Sequence, residues 1–124
     1  MNLANQNKNI MNSEEFVSAI KATVLQSSID STKELLEHPP GRSPSSELKE
    51  MSEWYNNLNT VEKQVVNNII AESARGAVFG FLCVLDGVRA IEDKDKGTLK
   101  LYYERRSESI LLNDQSQFGL HELL

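Results

Sequence analysis

Cross-linking chemistry is almost absent from this sequence. One cysteine, Cys83, serves 124 residues, so no intrachain disulfide can form. Within Phe79-Gly80-Phe81-Leu82-Cys83-Val84-Leu85 it reads as a buried, unreactive thiol. The two histidines, His38 and His121, are too far apart to build a structural zinc site with it. His121-Glu122 resembles the opening of a zinc-protease helix motif, but no second histidine follows four positions later. No metal and no cofactor is expected.

Other signatures of chemistry are missing too. Gly76 and Gly80 lie in a helical pattern and lack the Lys-Ser/Thr of a phosphate loop. No Gly-x-Ser-x-Gly elbow occurs. Asp93, Asp95 and Glu104 mimic positions one, three and twelve of a calcium loop. Gly97 falls where a ligand belongs, however, and Thr98 replaces the turn glycine. The carboxylate pairs Glu14/Glu15 and Glu92/Asp93 are chain neighbours that point different ways and read as solvated surface. Without a nucleophile–base pairing, no catalytic residue is assigned, and a role other than catalysis is favoured.

Positive charge is scarce. The formal charge is −5, which repels phosphate backbones. Lys94, Lys96, Lys100, Arg105 and Arg106 form the best basic cluster, but Glu92, Asp93, Asp95, Glu104 and Glu108 are interleaved with it. Nucleic acid is not expected as a partner. The longest apolar stretch, Gly76 to Leu85, is ten residues, too short to span about 30 Å of hydrocarbon. The segment Met1–Asn9 has no export signal, so a soluble, cytoplasmic protein with no membrane contact is expected.

What is present suits one packed domain: 40% hydrophobic and 25% charged residues. Residues 1–12, rich in asparagine, read as a flexible N-terminal tail, and 13–124 as a single globular α+β domain. Ser13 is a candidate N-cap, with Glu14 and Glu15 suited to a helix N-terminus. Val17, Ile20, Val24, Ser28, Ser31 and Leu35 recur at helical spacing, with Phe16, Leu25, Ile29 and Leu36 alongside, and predict a helix over about 14–37. Pro39, Pro40 and Pro44 end it.

Ser45 or Ser46 can cap a second helix, with Leu48, Met51, Tyr55 and Leu58 on one face and Trp54 beside it. Asn59 and Glu62 then form a capping box for a third, whose apolar positions begin with Val61, Val65, Ile69 and Ile70. From Ala74 this helix is apolar almost all round, and so reads as the central element that others must cover. Gly76 and Gly80 suggest close approach by a neighbouring helix, and Gly87 suits a left-handed C′ position.

The period then changes. Leu99, Leu101 and Tyr103 alternate with polar residues, Arg105 to Glu108 reads as a turn, and Ile110 and Leu112 alternate again. The expected fold is α+β: three main helices packed around a central apolar helix, with a C-terminal antiparallel hairpin. Val88–Ile91 is a possible third strand, although helical spacing there leaves a longer helix open.

Two groups of residues are site candidates. Asp86, Arg89 and Glu92 follow the apolar helix and, with Tyr103, could bind a small ligand; the alternative is a helix cap and an ion pair. Trp54 and Tyr55 stand beside Glu47, Glu50 and Glu53 and could anchor a protein partner; the alternative is core packing.

Phe79-Gly80-Phe81-Leu82-Cys83-Val84-Leu85-Asp86-Gly87-Val88-Arg89, then Leu111-Leu112-Asn113-Asp114 and Leu120-His121-Glu122-Leu123, resemble small bacterial families of unknown function. The resemblance covers the C-terminal half. It implies a bacterial origin and a helix-then-hairpin layout, and it carries over no catalytic residue.

Two functions fit these residues. One is an interaction module, self-associating or masking a basic partner in the manner of an immunity protein, which requires an exposed aromatic or apolar patch ringed by carboxylates. The other is a small-ligand binder or small enzyme, which requires at least two of Asp86, Arg89, Glu92 and Tyr103 to converge on a concavity.

Overall fold

The computed structural model describes residues 10–124, and most of the expected tail therefore lies outside the described residues. The fold is α+β, with a two-stranded antiparallel sheet among the described residues. The chain divides into two compact units: residues 23–76, and a second unit that joins the N-terminal segment through Ala22 to Ala77–Leu124.

Helix α1 (Ser13–Ile20) passes into a π-helical segment (Lys21–Gln26) and then into α2 (Ser27–Glu37). Its cap is Asn12 rather than Ser13: the Glu15 N–H donates to the Asn12 side chain at 2.8 Å. Ser13 is buried instead, and its hydroxyl donates to the Leu112 carbonyl at 2.6 Å.

The π segment explains why the expected apolar stripe fails beyond Ile20. An i→i+5 turn admits an extra residue, which advances the buried line by one position. Val24, Ser28, Ser31 and Leu35 are therefore exposed, while Leu25 is buried and Ile29, Thr32 and Leu36 are half-buried.

In the unit 23–76, α3 (Ser46–Asn56) is capped by Ser45, whose hydroxyl oxygen accepts from the Leu48 N–H at 3.2 Å. Its buried line is Ser52 and Tyr55, with Leu48 half-buried. Ser52 Oγ donates to the Leu36 carbonyl at 2.6 Å, and Asn56 donates to the carbonyls of Leu36 and Glu37, tying α3 to α2.

Helix α4 (Thr60–Leu85) starts with the expected capping box. The Glu62 N–H donates to Asn59 Oδ1 at 2.8 Å, and the Asn59 N–H donates to Glu62 Oε1 at 3.0 Å. Tyr55 is fully buried and its hydroxyl donates to Asn67 Oδ1 at 3.0 Å, with the Lys63 ammonium over its ring. The inward line of α4 is Val66, Ile70, Ala71 and Ala74, not Val61, Val65 and Ile69, which face outward.

Helix α4 is one uninterrupted helix of 26 residues, longer than the ten-residue apolar run Gly76 to Leu85. Length and a mean hydropathy of 1.4 would allow it to cross a membrane, and 17% of that apolar window is buried.

In the other unit the core is Val17, Leu82 and Leu120, with Phe16, Val78, Leu85, Leu101 and Leu123 packed against it. Helix α4 ends as its sequence predicts. Gly87 has φ +76°, its N–H donates to the Val84 carbonyl, and the Val88 N–H donates to Cys83.

The Arg89 N–H also turns back to Cys83, so Val88–Ile91 cannot join a ladder and is exposed loop, neither strand nor helix. The hairpin is β1 (Tyr102–Arg105) and β2 (Glu108–Leu111), in register Tyr103↔Ile110 and Arg105↔Glu108. Its turn is the two residues Arg106 and Ser107, with Arg106 at φ +56°. A short helix, α5 (Leu120–Leu123), closes the unit and packs on α1.

Candidate functional site

Each unit carries one candidate site. The first lies on the outer surface of α3. With Ser52 and Tyr55 turned inward, Met51 and Trp54 turn out, and they are 52% and 59% exposed. Glu47 and Glu50 stand seven and four residues before Trp54, so helical periodicity puts all three on one face, and Glu53 flanks it. All three carboxylates are exposed. Tyr55, paired with Trp54 as a partner-binding candidate, belongs to the core and offers no surface. Tryptophan and methionine left in water on a helix bordered by carboxylates are unusual, because either ring or thioether gains from burial.

The second site follows α4. Asp86 is buried, and its Oδ2 accepts from the His121 backbone N–H at 2.9 Å and meets His121 Nδ1 at 2.5 Å. The other ring nitrogen, Nε2, lies 4.0 Å from Glu122 Oε1. The His121 ring stands edge-on to Phe79 at 5.7 Å.

Asp86 here does the work of an N-cap. Gly119 occupies the cap position of α5 without a side chain, and Asp86, distant in sequence, supplies the acceptor. Gly119 is required by closeness: a Cβ there would stand 2.9 Å from Asp86 Oδ2 and from the His121 ring.

Beneath this pair, Asn113 is a buried hub. Its Nδ2 donates to the carbonyls of Leu85 at 2.6 Å and Leu99 at 2.9 Å, and its Oδ1 accepts from the Leu101 N–H at 2.8 Å. One amide thus joins the end of α4 to the approach of β1. Gln115 adds a bond to the Asp86 carbonyl at 3.0 Å.

Asp114 starts an exposed turn in which its Oδ1 accepts from the Ser116 N–H and hydroxyl. Those bonds hold its carboxyl below the ordinary 3.8.

The structure brings Asp86, Arg89 and Glu92 to the lining of one open depression of about 650 Å³, and Tyr103 lies outside it on β1. The carboxylates of Asp86 and Glu92 are engaged within the fold. Asp86 holds His121, and Glu92 Oε2 accepts from the Gly97 N–H at 2.9 Å. The Arg89 guanidinium occupies the space a Cβ on Gly80 would need, which accounts for that glycine.

Sequence reasoning missed His121 and Asn113 as members of this site, since their partners lie 35 and 28 residues away. No local spacing could signal either pairing. Glu34, Glu37 and His38 bring ligand-type atoms together at the end of α2, all three exposed. Comparison with protein-family models, with curated proteins and with solved structures gives no match to this chain.

Proposed function

We propose that this protein is a small cytoplasmic interaction module that engages a basic protein partner through the outer face of α3. The observation that carries the reading is Trp54, 59% exposed beside Met51, with Glu47, Glu50 and Glu53 around it. An aromatic anchor supplies desolvation energy, and the carboxylates around it steer and orient a cationic surface. The net charge of −5 adds long-range attraction to such a partner. A protein of this kind acts by covering its partner, as an immunity protein masks a basic toxin. No group of its own has to react.

A soluble location fits the charges of α4. Glu72 and Arg75 sit within its apolar stretch, and a charged side chain at the centre of a bilayer costs about 2.5–3.5 kcal/mol.

The ligand-binding alternative rests on the depression lined by Asp86, Arg89 and Glu92. It has less support, because the carboxylates of Asp86 and Glu92 already hold His121 and Gly97.

The test is quantitative capture from lysate by the wild type and by Trp54→Ala, at low and high salt. The proposal expects a basic protein bound near one-to-one by the wild type, released by salt, and absent with Trp54→Ala. A captured protein that ignores both Trp54→Ala and Glu47→Lys/Glu50→Lys would refute it.

A further inference from the structure

The outward face of α4 poses a separate question. Val61, Val65 and Ile69 are 71%, 54% and 62% exposed, although the opposite face of the same helix already packs through Val66, Ile70, Ala71 and Ala74. Gly76 belongs to the outer face as well: at 100° per residue the four positions fall within an arc of about 80°. Among the described residues a Cβ on Gly76 would meet nothing within 4 Å, so none of them demands the glycine, which weakens the helix. Among the described residues, the close approach by a neighbouring helix that this glycine suggested is not made.

We propose that this face is the contact surface for a second copy of the chain, packed with its α4 antiparallel to the first. The face is self-complementary about a two-fold axis at the level of Ile70 and Ala71. That axis sets the Val65 side chain into the space left by Gly76 of the second copy, and Ile69 along the stem of Glu72. It also brings the Glu72 carboxylate within reach of the Asn68 amide of the second copy, both of them exposed in the single chain.

Charge selects the same occupant. The charged residues of α4 are Glu62, Lys63, Glu72 and Arg75, which cancel, so the helix carries no net charge of its own to draw a basic partner to this face. Area is sufficient as well. Four turns of helix hide on the order of 500 Å² per copy, which reaches the roughly 1,000 Å² total that a specific interface needs. This surface is independent of the α3 face, and either can fail alone.

Sedimentation velocity on the full chain, across concentrations up to about 100 μM, reads the association. The expected result is a concentration-dependent dimer that Val65→Glu weakens on the order of 100-fold, by placing an unpaired charge at the contact. Circular dichroism of the dilute variant should remain that of the wild type. Gly76→Leu is the second variant: it fills the recess and weakens the dimer while raising the melting temperature of the dilute monomer.

A chain monomeric at every concentration overturns the proposal. So does a dimer indifferent to both substitutions, which would use another face. A monomer that instead floats with phosphatidylglycerol vesicles, and loses this with Val65→Glu, also overturns it and assigns the face to lipid.

Discussion

Removing the side chain of Asn113 tests the account of how the C-terminal unit is held. Asn113→Ala deletes three part-buried hydrogen bonds at once, to Leu85, Leu99 and Leu101. Each is worth about 1 kcal/mol net, and a backbone group left buried without a partner costs about 1–3 kcal/mol. Partial access of water to the orphaned groups brings the expected loss to about 3–5 kcal/mol. That is a large share of the roughly 5–15 kcal/mol of a domain, and corresponds to a fall in melting temperature of roughly 12–20 °C.

Denaturant unfolding by circular dichroism measures the loss, and hydrogen exchange at the Leu101 amide locates it. Asn113→Asp is the control for polarity. It keeps the acceptor for Leu101 but points a carboxylate oxygen at two carbonyls. Its carboxyl is therefore pushed up in the folded state, and stability present below the unfolded value of about 3.9 is lost as pH rises through the folded one. A loss below about 1 kcal/mol for Asn113→Ala, with Leu101 still protected, would refute the hub.

Three smaller predictions follow from the same geometry. Gly119→Ala should cost about 1–3 kcal/mol, because its Cβ collides with Asp86 and His121; thermal melting and the His121 ring shifts in NMR would register it. Arg106→Gly should stabilise by about 1 kcal/mol, since Arg106 holds a left-handed φ that glycine adopts freely, and denaturant midpoints would show it. The Asp114 carboxyl should titrate below 3.8, as its bonds to Ser116 favour the charged form. The turn is then intact above the unfolded value and loosens as pH falls through the folded one, and Ser116→Ala should bring the NMR midpoint back toward 3.8.

Local signals carried most of the fold. Gly87, the Asn59–Glu62 box, the prolines and the alternation around Tyr103 each name their element because the cause lies within a few residues. The π-helical segment could not be read, since Lys21–Gln26 carries no mark of it, and it rotates everything from Val24 to Leu35 off the expected face. The same limit hid which side of α4 packs. Val61 and Val66 are equally apolar, and only the placement of Tyr55 and Asn67 decides between them. At the candidate sites, Trp54 was legible as standing beside Glu47, Glu50 and Glu53, whereas their common face and the burial of Tyr55 required the fold.

Trp54 is the single tryptophan of the chain, and its fluorescence gives the most direct measurement. Titration with the purified partner should shift its emission to the blue at low salt. The affinity should fall at least about 30-fold in Trp54→Ala, as for an interfacial anchor worth about 2 kcal/mol or more. An unshifted emission at saturation, together with unchanged affinity of Trp54→Ala by calorimetry, would contradict the assignment of the α3 face to partner binding.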